Sequence, residues 1–297
     1  MNQKLPSDLN SGITRRTALK FASAGTLIAL GIPTGQGRTA AAETNATDAW
    51  GRTHDRVWIG GEYWANPMED WRISDGGAEC LSMGGGRSVH SLTHQVTRNG
   101  ALTMTVTLTR LETAKVDGGA GFRIGLRSEI NEHRSNCFVQ KGVNAGWQGD
   151  QLVLGPKTMA LKDGSTLKQL RLTLRGVPAG NKCALTLTAN ATDSGAELGV
   201  LTHEVEADEV LGNVSLANNL AAGAAGAAKK GKAKQGSDAA GGRYRFSKWT
   251  MEGDAFSVRA EQRFGPLLWA MYSLSDSRTD EGFVMKISAL TGPMGEK

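Results

Sequence analysis

The sequence has few of the residues that bind metals or form disulfide bonds. Its 297 residues include only five histidines and three cysteines. No two cysteines have the Cys-x-x-Cys spacing of a zinc knuckle. Cys80, Cys137 and Cys183 could form one disulfide and leave one thiol over, or serve as small buried side chains. No constellation of ligands is visible, so the sequence predicts no metal and no cofactor in this chain.

Long apolar runs and amphipathic helices are also lacking. The run Phe21–Ile32 is shorter than the ~20 apolar residues that a transmembrane helix requires. Beyond it, no stretch keeps an apolar period of 3.6 residues, which is the pattern of a helix with one buried face. The sequence therefore predicts an all-β protein without a transmembrane segment in its mature form.

An excess of basic charge is missing from the part of the chain that can fold. The net charge is +5, but residues 1–42 carry +4 and residues 219–241 carry +3. The remainder is therefore slightly acidic, at −2. A nucleic-acid partner normally requires a basic patch, so the sequence predicts none.

The first 42 residues have the order of an export signal. Arg15 and Arg16 precede the apolar run Phe21–Ile32, and an Ala-x-Ala site follows at Ala40 and Ala42. The paired arginines indicate a twin-arginine signal, although Ala18 stands where such signals usually carry Phe. We expect residues 1–42 to be this signal, its partner to be the twin-arginine export machinery, and the mature protein to be periplasmic or secreted.

Strict alternation of apolar and polar residues predicts β-strands in the chain beyond the signal. In "ALTMTVTLTRL", apolar residues alternate with threonines from Leu102 to Thr109, so one face meets a core. The segment around Phe122 has the same alternation, and residues 167–189 indicate a hairpin. In "RYRFSKWTM" the period slips by one, which predicts a bulge. Many short, evenly spaced strands indicate a jelly-roll β-sandwich over residues 50–252.

Two further segments complete the predicted domain organisation. Residues 218–242 are rich in Ala, Gly and Lys and contain no aromatic or β-branched residue, so we expect a disordered insertion between two strands. Residues 254–297 hold about three more strands, near 256–260, 267–274 and 283–290. Three short strands make a poor independent domain, so we expect an incomplete small β-domain that lacks strands beyond Lys297.

Residues with catalytic chemistry are present but poorly spaced. His90 and His94 have the His-x-x-x-His spacing of a zinc pair on a helix, but on a strand they stand about 13 Å apart. Glu129 and Glu132 suggest the paired carboxylates of a retaining glycoside hydrolase. They would point to opposite faces of one strand, so we expect no catalytic residue.

Clustered aromatic residues suggest a different function. Exposed tryptophan and tyrosine rings bind sugars by stacking, and buried ones build cores. The candidate ligand-binding residues are Trp58, Tyr63, Trp64, Trp71 and Trp147. A carbohydrate partner is therefore one alternative, and burial of most of these rings is the other.

Three extended stretches resemble a known family: "DRVWIGGEYWANPMEDWRISDGGAEC", "GAGFRIGLRSEINEHRSNCF" and "RFGPLLWAMYSLSDSRTDEGFVMKISALTGPMGEK". Together with the arginine-pair signal, they resemble the N-terminal half of exported alkaline phosphatase D-like proteins of planctomycete type. The resemblance implies a concanavalin- or laminin-G-like jelly roll, then a small β-domain, then a metallophosphatase domain that this chain lacks. No position matches that family's metal ligands.

The sequence leaves three functional hypotheses. The first is an exported, non-catalytic β-sandwich module of a phosphatase-like protein, without activity by itself. The second is a carbohydrate-binding jelly-roll module. The third is a glycoside hydrolase that uses Glu129 or Glu132.

Overall fold

We describe the protein from a computed structural model. It describes residues 49–220, 241–265, 267–278 and 282–292, all within one compact unit, Thr44–Lys297. The predicted signal at 1–42 and most of the predicted insertion at 218–242 lie outside the described residues. No helix among the described residues is long and apolar enough to cross a membrane.

The described residues are almost entirely β-strands. In chain order the strands are β1 (Tyr63–Asn66), β2 (Trp71–Ser74), β3 (Gly77–Cys80), β4 (Arg87–Val96), β5 (Leu102–Thr113), β6 (Ala120–Leu126), β7 (Val143–Gln148), β8 (Gln151–Leu154), β9 (Lys157–Ala160), β10 (Gln169–Ala179), β11 (Lys182–Asn190), β12 (Glu197–Glu206), β13 (Gly212–Asn218), β14 (Gly242–Glu252), β15 (Phe256–Val258), β16 (Leu267–Arg278) and β17 (Gly282–Thr291). A short helix, α1 (His133–Asn136), and 3₁₀ turns at Met68–Asp70, Ala207–Val210 and Ala260–Gln262 lie between them.

Two antiparallel sheets form a jelly-roll β-sandwich, as the sequence predicted. The front sheet has the order β1-β4-β13-β6-β7-β8-β9, and β15 shares the outer edge of β4 with β1. The back sheet has the order β12-β11-β10-β5-β14-β3-β2. Alternate residues of both sheets fill the space between them, because successive side chains of a strand point to opposite faces.

The strands chosen from alternation are confirmed. β5 buries Leu102, Met104, Val106 and Leu108, and the predicted hairpin is β10–β11. The slip of period in β14 is a bulge. The pairing of β14 with β5 shifts between Ser247 and Thr250, and Lys248 between them has φ +53°.

The two ends of the insertion are anchored in the fold. Asn218 closes β13 and donates from Nδ2 to the Gly242 carbonyl oxygen over 2.7 Å. Asn219 donates from Nδ2 to the carbonyl oxygens of Met83 and Gly84, each over 2.6 Å. The Asn218 bond joins the neighbouring ends of β13 and β14, and the Asn219 bonds fix the end of β13 to the segment before β4.

The last three strands separate into two groups. β15 pairs with β4 from Phe256 to Val258, so it belongs to the sandwich and not to a second domain. β16 and β17 pair with each other, and no other strand among the described residues pairs with them. We call β16 and β17 the ribbon; its large apolar side chains are mostly exposed.

Candidate functional site

A row of polar side chains crosses the front sheet on the face turned away from the core. In the strand register, His90 of β4 faces Ser215 of β13, which also faces Arg123 of β6. Arg123 in turn faces Asn144 of β7. Directly paired residues of neighbouring strands share one face, and flanking residues such as Val89, Leu216 and Phe122 belong to the core. We call these four residues the polar row and their side of the sheet the outer face.

His90 is an uncharged histidine within this row. His90 is 1% exposed, and its Nε2 lies 2.8 Å from Ser88 Oγ. Burial, with a smaller contribution from the charge of Arg123, lowers the pKa of His90 to about 3. Its Nδ1 atom is buried and has no hydrogen-bond partner in the described part of the chain.

Arg123 brings a positive charge into the same place. It is 3% exposed, and it donates from Nε to Asn144 Oδ1 over 2.8 Å and from Nη1 to Gln140 Oε1 over 3.2 Å. Both acceptors are neutral amides, and burial lowers the pKa of the guanidinium. No carboxylate among the described residues pairs with Arg123, although buried charges are normally paired.

Ser215 stands between these two groups. It is fully buried, and its hydroxyl has no hydrogen-bond partner among the described residues. Buried polar atoms without partners are rare in folded proteins. The polar row therefore contains two buried atoms, His90 Nδ1 and Ser215 Oγ, that have no hydrogen-bond partner among the described residues. They lie next to a guanidinium that no described carboxylate neutralises.

An amide network fixes the segment after β6 over the outer face. Asn213 Oδ1 accepts from Gln95 Nε2 over 2.7 Å and from Asn136 Nδ2 over 3.2 Å. Asn213 Nδ2 donates to the His133 carbonyl oxygen over 2.8 Å. α1 is thereby tied to β13 and β4, beside one end of the polar row.

A cleft with aromatic walls adjoins the row. Trp64 of β1 pairs with His90 and so lies on the outer face. Its ring meets Phe138 and Phe264 edge-on, with centroids 6.0 and 5.4 Å away. Phe138 is 64% exposed. This aromatic cleft has a volume of about 540 Å³, and its rim includes His133, Arg134, Glu261, Gln262 and Arg263.

A second cleft, of about 410 Å³, continues beyond Phe264. Arg56 stacks over the ring of Trp58, with 5.4 Å from Cζ to the ring centroid. Arg263 forms an ion pair with Glu62, and it lines both clefts. We call this space the arginine cleft; the two clefts meet at Arg263 and Phe264.

The structure separates the five aromatic candidates into two groups. Trp64 lines the aromatic cleft and Trp58 the arginine cleft, and both are half-buried. Tyr63, Trp71 and Trp147 are at most 5% exposed. These three rings belong to the core and offer no free face to a sugar, which removes them from the candidate site.

Each buried ring has a packing role instead. Tyr63 stacks on Trp249 at 5.6 Å, and Trp71 packs against Phe246 at 5.8 Å. Trp147 lies under the Arg110 guanidinium, whose Cζ is 3.8 Å from the ring centroid. Alternation along the strands directs these rings inward.

The residues considered for catalysis have structural surroundings. Glu132 caps α1, accepting from the backbone NH groups of Arg134 and Ser135 over 3.0 and 3.1 Å. Glu129 is exposed in the turn after β6, so the expected strand does not continue to either acid. His90 and His94 lie on β4, as the sequence indicated. No group of three metal-binding side chains occurs among the described residues.

The three cysteines are free and buried. Burial raises the pKa of Cys80 to about 11 and that of Cys137 to about 12, and it also raises the pKa of Cys183. Thiols that stay protonated are poor nucleophiles and poor metal ligands. The interpretation as small core residues fits this environment.

Sequence reasoning missed the polar row. It recognised the alternation around Phe122 but gave the polar face of that strand no function, and it considered His90 only as a metal ligand. The signal in the sequence was a charged residue in the middle of an otherwise apolar, well-alternating strand. The row itself depends on the register of strands from distant parts of the chain.

Comparison with known proteins gives structural likenesses only. No family model and no curated protein matches the sequence. Similar solved structures include arcelin-5, a lectin-like defence protein from Phaseolus vulgaris, with 11% identity, TM-score 0.42, and coverage of 73% of this chain and 100% of that one. Lectin II from Ulex europaeus has 10% identity, TM-score 0.40, and coverage of 67% and 97%. A Bauhinia forficata lectin in complex with GalNAc has 10% identity, TM-score 0.40, and coverage of 67% and 96%. Likenesses at this level say nothing about a ligand of this chain.

Proposed function

We propose that this chain is a carbohydrate-binding β-sandwich module whose ligand lies in the aromatic cleft on the outer face. The observation that carries the proposal is the accessible aromatic wall of this cleft. Trp64 and Phe264 line it beside Phe138, which is 64% exposed.

The chemistry of the two parts suits a sugar. Pyranose rings present CH groups that pack on aromatic side chains, as Trp64, Phe138 and Phe264 could offer in the cleft. Sugar hydroxyls need donors and acceptors, which Arg134, Glu261 and Gln262 supply on the rim of the cleft. Binding sites of this kind combine an apolar wall with a few convergent polar groups.

The dimensions of the clefts suit an oligosaccharide. The aromatic cleft, of about 540 Å³, lies within the usual range of small-ligand sites. The arginine cleft, of about 410 Å³, meets it at Arg263 and Phe264, so a second linked sugar unit has room there.

Trp64→Ala tests this function. We expect wild-type protein to bind at least one oligosaccharide of a broad glycan panel, and the Trp64→Ala variant to bind it at least tenfold more weakly, by isothermal titration calorimetry. Val177→Ala, at an exposed position of β10, is the matched control and should bind normally. Equal affinity of the Trp64→Ala variant and wild type would exclude the aromatic cleft as the binding site.

The ribbon supports a second candidate function, the non-catalytic module of an exported phosphatase-like protein. Its exposed apolar side chains suit packing against further strands or a partner. In this proposal the chain has no phosphatase activity by itself. Hydrolysis of bis-p-nitrophenyl phosphate by the purified protein with Ca²⁺, Fe³⁺ or Zn²⁺ would contradict it. The two candidates are compatible, because a sugar-binding module can be part of a larger exported protein.

A further inference from the structure

We infer that the arginine cleft binds an anionic substituent of the sugar chain, a carboxylate or a sulfate ester, on the unit next to the one in the aromatic cleft. This inference rests on the proposed carbohydrate-binding function and names the class of its ligand. It arises from the charges that line the arginine cleft.

The lining of the arginine cleft is predominantly basic. Arg52, Arg56 and Arg263 line it, and Glu62 is the one acidic residue among its described lining residues. Arginine side chains stay charged at physiological pH, so the arginines outnumber the carboxylate by two. A cleft lined mainly by charges of one sign attracts ions of the opposite sign.

The guanidinium groups of this lining can be reached from solvent. Arg52 is exposed, and 56% of the Arg263 side chain is exposed although it forms an ion pair with Glu62. The cleft has a volume of about 410 Å³, which is within the range of small-ligand sites. A charged substituent of a sugar can therefore enter the cleft and contact these arginines.

The lining is also held in place by the fold. Arg56 donates from Nε to the Trp58 carbonyl oxygen over 2.9 Å and stacks over the Trp58 ring. The backbone NH of Phe264 donates to the Gly61 carbonyl oxygen over 2.6 Å, and this bond fixes the segment that carries Arg263. Groups that are already positioned lose less conformational freedom when a ligand binds.

Glycine at position 61 allows this close approach of the two segments. A Cβ atom at Gly61 would lie only 2.7 Å from the Phe264 carbonyl oxygen. A larger residue would push the segment of Arg263 and Phe264 away from the segment before β1. The junction of the two clefts therefore depends on this glycine.

The guanidinium groups define the chemistry of the substituent. Arginine binds the oxygens of carboxylates and of tetrahedral oxyanions through pairs of charge-assisted hydrogen bonds. Sugar chains carry such oxygens as uronic acid carboxylates or as sulfate esters. Glu261 lies on the rim of the aromatic cleft and would repel an anion there, so the charged unit belongs in the arginine cleft.

Calorimetric titration with matched pairs of oligosaccharides tests the inference. The carboxylate pair is tetragalacturonate and its fully methyl-esterified form, and the sulfate pair is a carrageenan tetrasaccharide and its desulfated form. In at least one pair, we expect the charged member to bind about tenfold more tightly than the neutral member. The difference should shrink as NaCl is added, because salt screens exposed charges. The pair that shows the difference identifies the substituent.

The outcomes separate this inference from the proposed function. If the neutral member of each pair binds as tightly as the charged member, or if only neutral glycans bind, the inference is overturned and the proposed function stands. If free galacturonate or inorganic sulfate binds as tightly as the charged tetrasaccharide, the cleft does not recognise a sugar chain and the inference is overturned. If no glycan binds, the proposed function fails, and the inference fails with it.

Substitution of the lining arginines locates the anion. Arg52→Gln and Arg263→Gln each remove one guanidinium from the lining, so each should weaken binding of the charged tetrasaccharide about tenfold. Binding of neutral glycans should stay unchanged. Arg171→Gln makes the same charge change at an exposed position of β10 and should affect neither. Unchanged affinity for the charged tetrasaccharide in both cleft variants would overturn the inference.

Thermal unfolding separates ligand binding from a structural role. Arg52 is exposed, so Arg52→Gln should keep the wild-type Tm. This variant provides the test if Arg263→Gln, which removes the partner of Glu62, does not fold. A lowered Tm in Arg52→Gln, with an equal loss of affinity for charged and neutral glycans, would show a structural role and overturn the inference.

Discussion

His90 and Arg123 can both carry positive charge, and both lie in one buried row. Burial opposes the charge of each, but the effect on protonation differs between them. Arg123 keeps its charge because its pKa, although lowered by burial, starts far above neutrality. His90 gives up its proton and stays neutral, since burial and the charge of Arg123 both disfavour the imidazolium. The protonation of His90 is therefore linked to the stability of the fold.

His90 should make the fold less stable in mild acid. Its pKa is about 3 in the folded protein and 6.5 in the unfolded chain, so the unfolded chain binds the proton first as pH falls. Stability is retained above pH 6.5 and is lost progressively between pH 6.5 and about 3. Each pH unit in that window costs about 1.4 kcal/mol, so we expect a loss of roughly 2 kcal/mol between pH 7 and pH 5.

Urea denaturation at the two pH values measures this loss. His90→Gln should remove most of the difference, because glutamine does not titrate. His54→Gln, at an exposed position, is the matched control and should keep the wild-type difference. A wild-type pH dependence that survives in His90→Gln would show that other groups cause it.

Arg110 illustrates a buried arginine with a structural role. It forms an ion pair with Asp117 over 3.0 Å, donates from Nη2 to the Gly149 carbonyl oxygen over 2.6 Å, and stacks on Trp147. Asp117 also accepts from the Tyr244 hydroxyl over 2.6 Å. Unlike Arg123, this residue is paired with a carboxylate inside the protein.

Arg110→Lys should therefore destabilise the fold. Lysine keeps the charge but loses the fork that reaches several acceptors and the flat group that stacks on Trp147. We expect a loss of about 2–4 kcal/mol in the free energy of unfolding, measured by denaturant titration. Arg171→Lys on the exposed side of β10 should change the free energy of unfolding by less than about 0.5 kcal/mol.

At the scale of elements, the sequence contained most of the strands but not their neighbours. Alternation in "ALTMTVTLTRL" predicted β5 because one face of that strand is entirely buried, and the period slip at Lys248 predicted its bulge. The polar row was not predictable in the same way. It combines residues 90, 123, 144 and 215 through three strand registers, which are long-range properties of the folded chain.

The ribbon exposes apolar side chains on both faces. The pairing of Tyr272 with Ile287 and of Leu274 with Met285 places these four side chains on one face, where each is at least 57% exposed. The opposite face carries the polar pair Ser273 and Lys286, but also the exposed side chains of Trp269, Met271 and Leu290. A two-stranded ribbon with exposed apolar faces is marginally stable in water and is prone to association.

Polar substitution of that face should reduce exposed apolar surface without affecting the sandwich. We expect the double variant Tyr272→Ser with Ile287→Ser to lose more than half of the fluorescence of bound anilinonaphthalene sulfonate. Its Tm should remain within about 2 °C of wild type, because these residues lie outside the core. Val177→Ser, an isolated exposed apolar residue of β10, is the control; an equal loss of fluorescence there would show that the ribbon does not bind the dye.

At the scale of the whole molecule, the jelly-roll sandwich places a sugar-sized aromatic cleft beside a buried polar row on one sheet. The resemblance to alkaline phosphatase D-like proteins stays a prediction, as does export. For the five clustered aromatic residues the sequence left sugar stacking and burial as alternatives; two of them lie at surface clefts and three are buried. Whether a given ring lies at a cleft or in the core depends on strand direction and on contacts with Phe138 and Phe264 from distant segments.

The export signal can be tested without reference to binding. Arg15→Lys with Arg16→Lys should retain precursor protein in the cytoplasm, since the twin-arginine machinery reads the paired guanidinium groups. Fractionation of producing cells, followed by immunoblotting, measures the distribution. Lys20→Arg, a nearby basic change that preserves the pair, should export normally; export of the double variant at the wild-type level would contradict a twin-arginine signal.

The central claim is that a sugar lies along the outer face of the front sheet, and a crystal structure with an oligosaccharide that binds in solution tests it most directly. We expect electron density for the sugar in the aromatic cleft, in contact with Trp64 and Phe138. Density confined to the arginine cleft, the ribbon or the back sheet, at a ligand concentration that saturates the protein in solution, would contradict this assignment.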